Sequence, residues 1–128
     1  MLFRKNDLDL FYKYLSNSCK FIMNDRLGNL EEMILFMVML VHDEAYGITV
    51  RDAFMGQYGQ DISLSAVHTV LRRLEEKGFT TSKLGGASPE RGGRRKRLYR
   101  VTRYGYKKIT HIQEERMRIW ELLPKLEF

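Results

Sequence analysis

Between Ser63 and Thr102 the chain concentrates the side chains best suited to chemistry, and that chemistry is non-covalent recognition of a polyanion. Arg91, Arg94, Arg95, Lys96 and Arg97 stand beside Gly85, Gly86, Gly92 and Gly93, with no acid anywhere from residue 91 to residue 108. Such a loop has nothing apolar to bury, and its cations can neutralise phosphates and release their counterions. Just upstream, Ser65, His68, Thr69, Arg72 and Arg73 fall opposite Leu64, Val67, Leu71 and Leu74 at helical spacing, which gives one helix an apolar stripe and a polar, cation-bearing face. Hydroxyls, an imidazole and guanidinium groups on such a face suit phosphates or base edges. The same residues also have a plainer use. Glu75 and Glu76 lie close enough to pair with Arg72 and Arg73 along the helix, and Ser65, His68 and Thr69 can simply face water.

Other chemistries find no support in the sequence. There is no phosphate-cradling glycine motif, nucleophile elbow or carboxylate pair in an evident cleft. His42, His68, His111 and Cys19 have no mutual spacing that matches a metal site. The chain is expected to be neither an enzyme nor a metalloprotein, and to need no cofactor.

The elements that must position these residues can be taken in order. Residues 7–22 carry Leu8, Phe11, Leu15, Phe21 and Ile22 at rough helical spacing. They are read as an amphipathic helix packed on its own domain or on a symmetry mate, or as a translated leader before a natural start at Met23. Cys19 has no activating neighbour and is taken as structural. Asn29 is expected to cap a helix over residues 30–41, with Glu31 and Glu32 in the first turn, where the helix dipole favours acids. That helix is apolar nearly all round, so it belongs at the centre of the domain, with Met33, Met37 and Met39 as packing. A second helix is expected from Thr49 to Tyr58, with Val50 and Phe54 inward. The third spans residues 63–77, capped by Ser63 or Ser65 and ended by Lys77 and Gly78. Residues 79–84 and 98–101 read as paired strands flanking the basic loop. Thr102 is placed to cap a last helix that Pro124 stops. Its stripe of Ile109, Ile112, Ile119, Trp120 and Leu123 lies past the compact part, and is expected to meet a second copy of the chain.

The bulk properties agree with this order. At 128 residues and 15.2 kDa the chain fits one domain. Residues 1–62 hold six Lys or Arg against nine Asp or Glu, and residues 63–128 hold sixteen against seven, giving net charges of −3 and +9. Such asymmetry points to a polyanionic partner met by the second half, either nucleic acid or an anionic membrane surface. No spanning segment or signal peptide is evident, and the expected location is the cytoplasm, at the nucleoid, without membrane contact. The resulting fold class is mainly α with a small β-hairpin: a winged helix-turn-helix over residues 27–102, an N-terminal extension over 1–26 and a dimerisation helix over 103–128.

Several residues carry a resemblance to the PadR family of bacterial winged-helix transcriptional regulators, over residues 27–105. They are Leu27-Gly28-Asn29-Leu30-Glu31, Tyr46-Gly47-Ile48, Leu71-Arg72-Arg73-Leu74-Glu75-Glu76-Lys77-Gly78, the run from Gly92 to Arg97, Tyr99-Arg100-Val101-Thr102 and Gly105. The resemblance implies a homodimer, usually a repressor, that binds an inverted repeat in double-stranded DNA. The single last helix looks like the family's shorter branch. Some members of that branch hold flat hydrophobic effectors against an aromatic residue of that helix, for which Trp120 is the candidate. His68 departs from the pattern, since many relatives carry tyrosine there. Two other readings fit the residues: a winged-helix module that docks a protein partner, and a nonspecific nucleic-acid binder.

Overall fold

The computed structural model describes residues 26–87 and 95–128. The helix expected over residues 7–22, Cys19, Arg91 and Arg94 lie outside the described residues. Within them the chain forms α1 (Asn29–Val41), a 3-10 turn (His42–Glu44), α2 (Gly47–Tyr58), α3 (Leu64–Glu76), β1 (Thr80–Ala87), β2 (Arg95–Val101) and α4 (Arg103–Leu122). This order, three helices followed by an antiparallel hairpin and a last helix, is the expected winged helix-turn-helix.

α1 is apolar nearly all round because α2, α3 and β2 all pack on it. Its Ile34, Leu35, Met37 and Val38 join Val50 and Phe54 of α2 and Val67, Val70, Leu71 and Leu74 of α3 in one core. Each fully buried aliphatic or aromatic side chain contributes about 1.5–3 kcal/mol. Met33 and Met39 pack against the edge of that core, so the methionines are filling, as their positions suggested.

The two acids of α1 do more than meet a helix dipole. Glu31 and Glu32 are both buried. The Lys77 ammonium donates to both Glu31 oxygens, at 2.7 and 3.0 Å, and to the Arg26 carbonyl at 2.8 Å. Lys77 thereby ties the end of α3 to the start of α1. Arg116 reaches from α4 to Glu32 with both terminal guanidinium nitrogens, Nη2 donating to Oε2 at 2.9 Å and Nη1 to Oε1. Arg116 is half exposed, so solvent screens the pair. Its main effect is to spare Glu32 the cost of a buried, unpaired carboxylate.

Four expectations need correction. Asn29 does not cap α1: Gly28 occupies that position without a side-chain bond, because its carbonyl already accepts from the Glu32 N–H and Asn29 is drawn into the first turn. α2 starts at Gly47 rather than Thr49, because the Thr49 hydroxyl accepts from the Tyr46 N–H at 2.9 Å and closes the first turn earlier. Arg95, Lys96 and Arg97 are not loop residues: they open β2, pairing across to β1 with Leu84 opposite Arg97 and Ala87 opposite Arg95. One extra residue on β1 between those pairs makes a bulge, which twists the hairpin. Ile109, assigned from periodicity to a dimer stripe, is 1% exposed in the chain's own core.

The expected caps of α3 and α4 are present. Ser63 Oγ accepts from the Ala66 N–H at 3.1 Å. Thr102 Oγ1 accepts from the Gly105 N–H at 3.0 Å and donates to the Gly78 carbonyl at 2.7 Å, which fixes the start of α4 against the entry to β1.

Candidate nucleic-acid interface

α3 is amphipathic in the way its sequence implies: Val67, Val70, Leu71 and Leu74 are buried, while Ser65, His68, Arg72 and Arg73 are exposed and Thr69 is half-buried. The Thr69 hydroxyl donates to the Ser65 carbonyl at 3.0 Å, which leaves its oxygen able to accept. Because the turn at Gly78 is short and the Phe79 N–H bonds back to the Leu74 carbonyl at 2.9 Å, the hairpin leaves α3 at once and folds alongside it.

The result is an open cleft of about 560 Å³ lined by Ser65, His68, Thr69, Arg72, Glu75, Arg97 and Tyr99. Four sequence-nominated residues of α3 and one of the wing therefore face the same space. Arg73 is exposed but lies off the cleft. Lys96 points elsewhere, since strand alternation puts it on the face opposite Arg95 and Arg97; its ammonium sits 4.9 Å from the centre of the Tyr46 ring, a cation–π contact. Arg95 is exposed at the far end of β2. Arg91 and Arg94 lie outside the described residues.

Two residues of the cleft, Tyr99 and Glu75, and Ser82, which bonds to Arg97 and Glu75, were not assigned to the site from sequence. Tyr99 follows Arg97 by two in a strand, so alternation could have placed it on the same face. Its N–H donates to the Ala45 carbonyl at 2.9 Å. Its phenol is held protonated by burial first and by the nearby Glu75 carboxylate second, with Arg97 pulling the other way. Ser82 and Glu75 form a relay: Arg97 Nη1 donates to Ser82 Oγ at 3.0 Å, and Ser82 Oγ donates to Glu75 Oε1 at 2.7 Å. The relay aims the Arg97 guanidinium along the cleft, and no signal local to the sequence announces it. Arg72 Nε lies 3.9 Å from Glu76 Oε1, an exposed pair of small net worth that a phosphate can displace. Two guanidinium groups thus flank a floor of hydroxyls and an imidazole, a layout suited to a sugar-phosphate strand beside base edges.

A second recess lies between α1 and α4. Phe36, Met39, Tyr106, Ile109, Gln113 and Met117 help to line an open groove of about 490 Å³ there. Beyond it Ile119, Trp120, Leu122 and Leu123 are all more than half exposed, Trp120 at 73%, while Ile112 is half-buried. Among the described residues no helix is long and apolar enough to cross a membrane, and no group of three His, Cys, Asp or Glu is placed to hold a metal.

Neither a protein-family model nor a curated relative matches the sequence. Solved structures do match the fold. A PadR-like transcription factor from Bacteroides fragilis superposes with a TM-score of 0.59 at 15% identity, covering 85% of this chain and 94% of that one. A PadR-family transcriptional regulator from Eggerthella lenta gives 0.57 at 16% identity, covering 88% and 91%. Bacillus subtilis PadR in complex with operator DNA gives 0.54 at 18% identity, covering 80% of this chain and 52% of that one. The chain therefore has the fold of the PadR-like winged-helix regulators.

Proposed function

We propose that the chain is a PadR-like transcriptional regulator that acts as a homodimeric repressor on an inverted-repeat operator in double-stranded DNA. The observation that carries this is the shared cleft, in which Ser65, His68, Thr69 and Arg72 of α3 face Arg97 of the wing. In this reading α3 enters the major groove and the wing follows the flanking phosphates. Arg73 and Arg95 reach phosphates at the margins, and Arg91 and Arg94 extend the same contact from the wing. Lys96 steadies the wing base through Tyr46.

Dimerisation is assigned to α4. A contiguous apolar patch including Ile119, Trp120 and Leu123 is costly to leave in water, and aromatic anchors are common at interfaces. Ile112 flanks the patch, whereas Ile109 is already spent on the core of its own chain. A small hydrophobic effector would bind on this same face, against Trp120, and release the operator by changing how the two α4 helices meet. The protein works at the nucleoid and needs neither metal nor cofactor.

Selection from a pool of random duplexes tests this directly. The expected product is an inverted repeat bound by two chains per duplex, with half-sites about 34–36 Å apart or a multiple of that spacing. Binding is expected to weaken steeply with salt. Salt-sensitive binding without enrichment of any sequence would instead indicate a nonspecific binder. No binding at low salt would favour a protein-docking module.

A further inference from the structure

We infer that Gly47 sets the orientation of the His68 imidazole and is in that sense a specificity-positioning residue; the inference rests on the DNA-binding reading above. Gly47 is the first residue of α2 and is buried. A Cβ added to it would lie 2.5 Å from Cε1, 2.9 Å from Nε2 and 3.2 Å from Nδ1 of His68, and these three atoms are its nearest neighbours. The Cε1 edge of the ring is therefore seated on the bare α-carbon of Gly47. His68 is otherwise exposed and lines the cleft with Ser65, Thr69 and Arg72.

The seat is firm on the α2 side. The Tyr46 N–H is bonded to Thr49 Oγ1 at 2.9 Å, and the Val50 N–H to the Tyr46 carbonyl at 2.9 Å, so the first turn of α2 is closed. The imidazole, by contrast, ends a flexible side chain and has open space on one side. An added methyl at position 47 displaces the ring rather than the helix. Gly47 is not one of the described glycines with positive φ, and alanine is the better helix former. Gly47→Ala is thus expected to leave the fold at least as stable while turning the imidazole away from its present direction.

A base-reading group gains discrimination from being held in one place before contact. The absence of a side chain at Gly47 gives an exposed histidine that constraint, and the recognition helix alone could not supply it. The charged and titratable groups that line the cleft with the ring are Arg72 and Glu75 from α3 and Arg97 and Tyr99 from β2. None of the four is among the nearest neighbours of a Cβ added at position 47.

The test uses a duplex enriched from a random pool by the full wild-type chain. Affinities for it, for its single-base variants and for an unrelated duplex are measured with wild type, Gly47→Ala, His68→Ala and the double variant at one salt concentration. The expected result is that each single variant loses about fivefold or more of the preference at one position per half-site. Binding of Gly47→Ala to the unrelated duplex is expected to stay unchanged, and the double variant to be no worse than His68→Ala. Additive losses in the double variant, or an unchanged preference in Gly47→Ala, would overturn the inference. If wild type bound no duplex, the DNA reading itself would fall and the role in specificity with it. The seat has its own readout, a nuclear Overhauser contact between the Gly47 α-protons and His68 Hε1 in the free protein. Its absence would overturn the seat whatever the DNA results.

Discussion

Gly105→Ala is expected to cost about 2 kcal/mol of folding stability and to lower Tm by on the order of 5–10 °C. A Cβ at that position would stand 2.1 Å from the Phe79 carbonyl oxygen and 2.9 Å from both its carbonyl carbon and its Cα. These are backbone atoms and cannot swing aside. The Phe79 carbonyl also accepts from the Thr102 N–H at 3.0 Å, so the contact lies inside the joint that fixes α4 to the hairpin. Relief requires α4 to move off the hairpin, loosening the stacked pair of Phe79 and Tyr104 and exposing Ile109. The gain in helix propensity on replacing glycine, about 1 kcal/mol at most, is smaller than the overpacking penalty of about 1–3 kcal/mol or more. Gly56→Ala is the matched control. Gly56 lies within α2 with nothing inside 4 Å of an added Cβ, so thermal unfolding is expected to show no loss and a gain of up to about 1 kcal/mol. Equal Tm values for Gly105→Ala and wild type would refute the packing described for this joint.

Removing both guanidinium groups of the cleft, as Arg72→Ala with Arg97→Ala, is expected to weaken DNA binding on the order of 10- to 100-fold near 0.1 M salt. Loss of two phosphate contacts should also make the slope of log affinity against log salt shallower by about 1.8. Both side chains are exposed and their tethers are surface contacts, to Glu76 and Ser82, so Tm should change little. Neutralising Arg118 and Lys125 in and after α4 provides the comparison, with no change in slope expected. The alternative is decided by the same plot: an unchanged slope in the Arg72 and Arg97 variant would mean that phosphates meet another part of the molecule.

What the sequence disclosed follows from the range of each interaction. Caps are local, so Thr102 was legible as a helix start and the cap of α3 was narrowed to Ser63 or Ser65, of which the structure uses Ser63. The two faces of α3 were equally plain, since periodicity within thirteen residues carries them. Periodicity does not say what an apolar stripe packs against. Ile109 sits on the same stripe as Trp120, yet one is buried in its own chain and the other faces solvent. Density of charge suggested loop at Arg95 to Arg97, whereas alternation and pairing with β1 make it strand. Glu31 and Glu32 were visible as acids in a first turn, but their partners lie 46 and 84 residues away. The close approaches at Gly105 and Gly47 depend on Phe79 and His68, which only the tertiary fold brings near. The relay from Arg97 through Ser82 to Glu75 joins three elements, and spacing within any one of them is silent about it.

Titration of the isotopically labelled chain with its selected duplex tests most directly whether the cleft is the surface that meets DNA. The expected result is that amide resonances of Ser65, Thr69, Arg72, Ser82 and Arg97 shift or broaden first and most, while those of Phe36, Gln113 and Met117 in the groove between α1 and α4 stay in place. The contrary result, with the groove residues responding and the cleft residues unmoved, would contradict the assignment of α3 and the wing as one DNA-binding face.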